Sequence, residues 1–69
     1  MSPEPVQVHS ITPVENGWRV TVYQSPLFLH LTAGRADWAQ LLERALQERE
    51  NVLLAWDPDT EEIAFVSPA

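Results

Sequence analysis

His9 and His30 are the only imidazoles in this sequence of 69 residues, and so the only side chains whose ordinary titration falls near neutrality. An imidazole ligates a metal or moves a proton when a carboxylate or a second imidazole is spaced to meet it. Neither histidine sits in a helical His-Glu pattern, and each stands alone in a β-rich segment. The densest group of carboxylates is Asp57-Pro58-Asp59-Thr60-Glu61-Glu62, whose spacing resembles the start of a calcium loop. Such a loop needs glycine at its sixth position and glutamate at its twelfth, where this chain has Glu62 and Pro68. The segment therefore reads as a solvated hairpin turn, with Pro58 pre-set for it. There is no cysteine, which excludes a thiolate zinc site, a thiol nucleophile and a disulfide scaffold. Two glycines, Gly17 and Gly34, are too few for a phosphate-cradling loop, and no serine sits in a Gly-x-Ser-x-Gly elbow. No set of side chains with assignable catalytic roles assembles, so the sequence predicts no catalytic residue, no metal site, no cofactor and no enzyme activity.

Charge narrows the partners. Ten carboxylates face four arginines, Arg19, Arg35, Arg44 and Arg49, and lysine is absent, for a formal charge of −6. Nucleic-acid binding draws most of its affinity from neutralised phosphates, and scattered arginines on an acidic chain supply little of it. The same holds for anionic membrane surfaces. No apolar run approaches the roughly 18 residues of a membrane span. The expected partners are therefore neither nucleic acid nor a lipid bilayer. The segment Met1-Ser2-Pro3-Glu4-Pro5 lacks the basic and apolar regions of a secretory leader, which predicts a cytoplasmic protein for the chain as it stands and a secreted one where a leader has been removed.

The elements that must position these side chains follow from periodicity. Residues 1–5 read as a flexible, proline-rich tail. Val6 to Ile11 is a first strand, ended by Pro13. Asn16-Gly17 signals a tight hairpin of type I′, with both central residues at positive φ. Trp18 to Tyr23 is a second strand, with Trp18, Val20 and Val22 on one face and Arg19, Thr21 and Tyr23 on the other. Leu27 to Thr32 is a third, with Leu27, Leu29 and Leu31 opposite Phe28, His30 and Thr32. A helix is predicted over 37–50, with Asp37 as N-cap, Gln40 completing a capping box and Asn51 as the left-handed C-terminal cap. Its apolar stripe is Trp38, Leu41, Leu42, Ala45 and Leu46, continued by the Arg49 stem. Val52 to Trp56 is apolar throughout, as a central strand is. Glu62 to Val66 is the last strand, with Ile63 and Phe65 inward.

The order is β-β-β-α-β-β, in a single domain over residues 6–67 with tails at 1–5 and 68–69. Two architectures accommodate it. The preferred one is a small OB-like β-barrel whose helix plugs one end, because short strands with strong apolar faces leave fewer bare edges when rolled up. The alternative is an open antiparallel α+β sheet with the helix across one face.

Trp18-Arg19-Val20-Thr21-Val22, Arg35-Ala36-Asp37-Trp38-Ala39-Gln40-Leu41-Leu42 and the apolar strand from Asn51 to Trp56 together resemble the B subunits of bacterial toxins, most of all the Shiga type. The second segment is similar to that family's Arg-Trp-Asn-Leu-Gln-x-Leu-Leu. The resemblance spans residues 17–56 and implies an OB fold and assembly into a ring, usually a pentamer. This chain departs from the family in having no cysteine for its disulfide, and in placing Ala36 and Asp37 where the family has a glycan-stacking tryptophan and its neighbouring asparagine.

These readings converge on a non-enzymatic binding or assembly module that forms a symmetric homo-oligomer. Tyr23, Phe28 and His30 stand on the face opposite the main apolar one, together with Ile11, and a contiguous patch of this kind calls for a partner chain. Small domains without disulfides or metals gain stability in the same way. In a ring, Gln40, Glu43, Arg44 and Gln47 would line a polar pore, with Glu43 of one chain meeting Arg44 of the next. Two alternatives stand beside it. One is a monomeric acidic regulator that docks on a basic protein through the Asp57–Glu62 turn with Glu43, Glu48 and Glu50. The other, implied by the resemblance, is a glycan-binding subunit using Arg35, Asp37 and Trp38.

Overall fold

The computed structural model describes residues 2–69. Five strands and one helix follow in the expected order: β1 (Glu4–Val14), β2 (Gly17–Val22), β3 (Ser25–Thr32), α1 (Ala36–Glu48), β4 (Asn51–Trp56) and β5 (Ile63–Pro68). The strands make one antiparallel sheet in the order β3-β2-β1-β4-β5. β1 serves both halves: Glu4 to Gln7 pair with Leu54 to Asn51, and Val8 to Val14 pair with Val22 to Gly17. The change of partner coincides with a bulge between Val8 and Ser10. Bulges sharpen strand twist and bend, and this one lets a single strand turn from one half of the sheet into the other.

Val6, Val8, Val20, Val22, Leu29, Leu31, Val52, Leu54, Ile63 and Val66 point inward from all five strands and share one core with Ala39, Leu42 and Ala45 of α1. The helix packs on β1, β5 and β4. Trp18, Leu27, Trp38, Leu41, Leu46 and Trp56 close the margins of this core.

The sheet is not closed into a barrel, and the open antiparallel sheet with one helix is the architecture present. Closure needs a staggered ladder along the whole seam. Between β3 and β5, the two outermost strands, the ladder is a single isolated parallel bridge from His30 to Glu62, the residue just before β5, where the His30 amide donates to the Glu61 carbonyl at 2.8 Å. Glu61 itself lies in the left-handed region, with φ 61, and the chain turns there rather than running on beside β3.

Several boundaries differ from expectation for identifiable reasons. Residues 4 and 5 are not tail but the start of β1. Pro5 is tolerated there because the Gln7 amide and carbonyl bond toward Gln24 and Tyr23, so the alternate residue Pro5 turns its nitrogen the same way, away from β4. Pro13 does not stop β1, which runs on to Val14. It forms the pair next to the turn-closing one, where a two-residue hairpin makes no ladder bond. Pro26 and Pro68 lie inside β3 and β5, the two edge strands, where a missing donor is harmless.

The first hairpin closes at Val14 and Gly17, so its central residues are Glu15 and Asn16, and neither has positive φ. The expected type I′ turn gives way because Gly17 is instead the first residue of β2, at φ 141. Helix α1 starts at Arg35 as N-cap without any side-chain cap, since Asp37 lies inside its first turn against Arg35. It ends at Arg49, left-handed at φ 56, whose amide and that of Glu50 both turn back to the Ala45 carbonyl. Arg49 is therefore an exposed cap rather than a stem over the stripe, and Asn51 opens β4. Ala64 bulges out of the β4–β5 ladder, which turns Phe65 outward and buries Val66 in its place.

Gly17 and Gly34 give a direct check. A Cβ at Gly17 would collide with the Leu31 carbonyl oxygen across the strand, whereas one at Gly34 meets nothing within 4 Å. Gly17→Ala is expected to destabilise the domain by about 2–4 kcal/mol, lowering Tm by about 10 °C or more. Gly34→Ala should stay within about 0.5 kcal/mol of the parent. Thermal and denaturant melts of the two variants measure the contrast.

Candidate functional site

The outer face of the β1–β2–β3 half of the sheet carries the largest exposed apolar side chains. Tyr23 is 64% exposed and Phe28 is 65% exposed. Strand alternation puts them there: Val20 and Val22 turn inward on β2, and Leu29 and Leu31 on β3, so Arg19 and Thr21 of β2, Tyr23 in the turn just beyond it, and Phe28 and His30 of β3 turn out. The expected outward placement of Tyr23, Phe28 and His30 is therefore what the fold produces, with His30 half-buried. Ile11, expected in the same patch, instead packs at the margin of the core.

Polar contacts tie the face together. The His9 ring stands edge-on to Tyr23, with centroids 4.9 Å apart. Its Nδ1 lies 3.2 Å from the Thr21 hydroxyl, and that hydroxyl is 2.6 Å from the Ser10 hydroxyl. The Arg19 guanidinium lies over the Phe28 ring at 5.6 Å from its centroid. Register then sets a row across the strands. Arg19 pairs with both Thr12 and His30, and His30 bridges to Glu62. Bridge partners point to the same side of a sheet, so Thr12, Arg19, His30 and Glu62 form one line, beside Phe28.

His9, Arg19 and Glu62 were not among the sequence-derived interface residues. Two signals in the sequence point to this face. Strand alternation carries Arg19 with Thr21 and Tyr23. Glu4 and Glu15 are also the only carboxylates before Asp37, so the segment forming these strands is nearly free of negative charge in an otherwise acidic chain.

The second cluster lies at the start of α1. The Arg35 guanidinium stacks on Trp38, 3.7 Å from the ring centroid, and pairs with Asp37 at 3.5 Å. Trp38 stands edge-on to Phe65, with centroids 6.5 Å apart. The three residues named for glycan binding are thus adjacent. However, one ring face of Trp38 is occupied by Arg35, and the indole packs against the core, which leaves little open aromatic surface for a sugar.

The other positions stay separate. Gln40, Glu43, Arg44 and Gln47 are exposed along α1, and Arg44 is held by Glu48 of its own chain at 3.3 Å. A groove of about 290 Å³ between α1 and β4–β5 is lined by Leu41, Arg44, Glu48, Asn51 and Pro68. In the Asp57–Glu62 turn, Asp57 Oδ1 accepts the amides of Asp59 (2.8 Å) and Thr60 (3.4 Å), and the Asp57 amide donates to the Glu62 carbonyl at 2.9 Å. The turn is built by hydrogen bonds within itself. Among the described residues no three metal-binding side chains converge, and no helix is long and apolar enough to cross a membrane.

No family model, no curated protein and no solved structure matches the chain.

The cluster at Trp38 separates packing from surface charge. Trp38→Ala removes a wedge between α1 and β5 and is expected to cost about 2–4 kcal/mol. Arg35→Ala removes an exposed cation–π contact and the exposed ion pair to Asp37, and should cost about 1 kcal/mol or less. Chemical denaturation followed by circular dichroism resolves the two, and a smaller loss for Trp38→Ala than for Arg35→Ala would contradict this packing.

Proposed function

We propose that this protein is a non-enzymatic binding and assembly module that forms a symmetric homo-oligomer. The observation that carries the reading is the exposure of Tyr23 and Phe28 on one outer sheet face, 64% and 65%. Two large aromatics exposed to water on one face are costly unless a partner covers them. A domain of this size without cysteine gains stability by recruiting a second chain. The resemblance to the toxin B subunits supports assembly from a separate direction. The strand order β3-β2-β1-β4-β5, with its ends meeting at His30 and Glu62, supports an OB-like relationship in which that seam has only begun to form.

A second reading is favoured by one observation of its own: Asp59, Glu61 and Glu62 carry negative charge with no cation paired to them among the described residues. A monomeric acidic regulator would use this turn against a basic protein surface, and such binding weakens steeply with salt.

Oligomeric mass separates the two. Native mass spectrometry and sedimentation equilibrium at micromolar concentration are expected to give a mass above the monomer, and the double variant Tyr23→Ser, Phe28→Ser is expected to return it to monomer with its circular dichroism unchanged. A wild-type protein that stays monomeric removes the assembly reading and leaves the acidic regulator.

A further inference from the structure

We infer that the occupant of the exposed sheet face is a second copy of this chain related by a two-fold axis, with Arg19 of each protomer set against Glu62 of the other; the inference rests on the assembly reading and specifies its symmetry. Arg19, His30 and Glu62 form one row across the strands. One strand spacing separates each residue from the next, so Arg19 and Glu62 lie about 10 Å apart with His30 midway. At that distance they make no ion pair within the chain, and among the described residues neither has another ionic partner. Arg35 and Arg44, by contrast, are engaged by Asp37 and Glu48.

A two-fold contact requires a patch that is complementary to itself: where residue i of one copy meets residue j of the other, j must meet i. A cation and a carboxylate at equal distances on either side of one residue meet that condition. An axis parallel to β3, lying above His30 in the plane between the two faces, lays Arg19 over Glu62 twice, and brings the two Phe28 rings together on the axis. Phe28 and Tyr23 supply the apolar area, and the Arg19–Glu62 pairs fix the rotation. The remaining charges agree with this choice of occupant. A single arginine on the face, beside the Asp57–Glu62 turn, offers too little positive charge for a nucleic-acid strand. It offers too little negative charge on the β2–β3 side for a basic protein.

Charge reversal with mixing is the test. Arg19→Glu places four carboxylates at the two contacts of its own dimer, and Glu62→Arg places four cations there. Each variant alone is expected to dissociate at least about tenfold more readily than wild type by sedimentation equilibrium. Mixed in equal amounts, the two are expected to form a heterodimer, because both contacts are then opposite in sign; native mass spectrometry identifies it if one variant carries an isotopic label. Formation of the heterodimer also shows that both variants fold. Wild-type-like association of either variant overturns the proposal, as does a mixture that stays monomeric. A wild-type assembly larger than a dimer and insensitive to both reversals overturns the two-fold arrangement while leaving the assembly reading in place. A monomeric wild type overturns both, and if that monomer retains a basic peptide or single-stranded DNA the face belongs to that occupant.

Discussion

β1 is bonded on both of its sides, but not along the same residues. Its first part holds β4 and its second holds β2, with the bulge at His9 between them. Each remaining strand is anchored through one of those two ladders. The inward alternation of Val6 and Val8 is what brings the valines of β2 and the leucines of β3 over the same core as β4, β5 and the helix. His9 keeps the outward turn that follows Val8 and its ring reaches Tyr23 and Thr21, while the bulge shifts the alternation by one residue beyond it and turns Ile11 to the core margin. One irregularity in one strand therefore shapes both the curl of the core and the chemistry of the exposed face.

The outer face follows as a by-product of that curl. When the inner side of β2 and β3 is given to valine, leucine and Trp18, the other side must carry whatever the alternating positions hold. Here those positions hold arginine, threonine, tyrosine, phenylalanine and histidine, with no carboxylate from residue 16 to residue 34. Most of the acidic residues sit on the helix and the β4–β5 turn, so the molecule has chemically distinct sides although its elements are short.

Much of this was legible in the sequence, because periodicity reports burial directly. The order of elements, the helix stripe through Leu42 and Ala45, and the outward turn of Phe28 and Tyr23 all follow from spacing. What escaped was decided by tertiary detail. Asp37 has the chemistry of an N-cap but is drawn to Arg35, and the helix starts without one. Phe65 fits an inward position by alternation until the bulge at Ala64 moves the pattern by one residue. The prolines suggested breaks, yet Pro5 and Pro13 fall where the strand has no bond to lose. The row across Arg19, His30 and Glu62 was out of reach, since it joins strands from opposite ends of the sheet through a contact that no local pattern encodes.

The join between β3 and β5 has its own mechanical meaning. The sheet behaves as two leaves hinged on β1 and fastened by one clasp, the His30 amide on the Glu61 carbonyl. Releasing that clasp breaks one hydrogen bond and lets Glu61 leave a backbone geometry that disfavours side chains. Only the His30 amide is bonded across this seam, so the other amides on the facing edges of β3 and β5 are expected to trade hydrogen with solvent before those of β1, which is bonded on both sides.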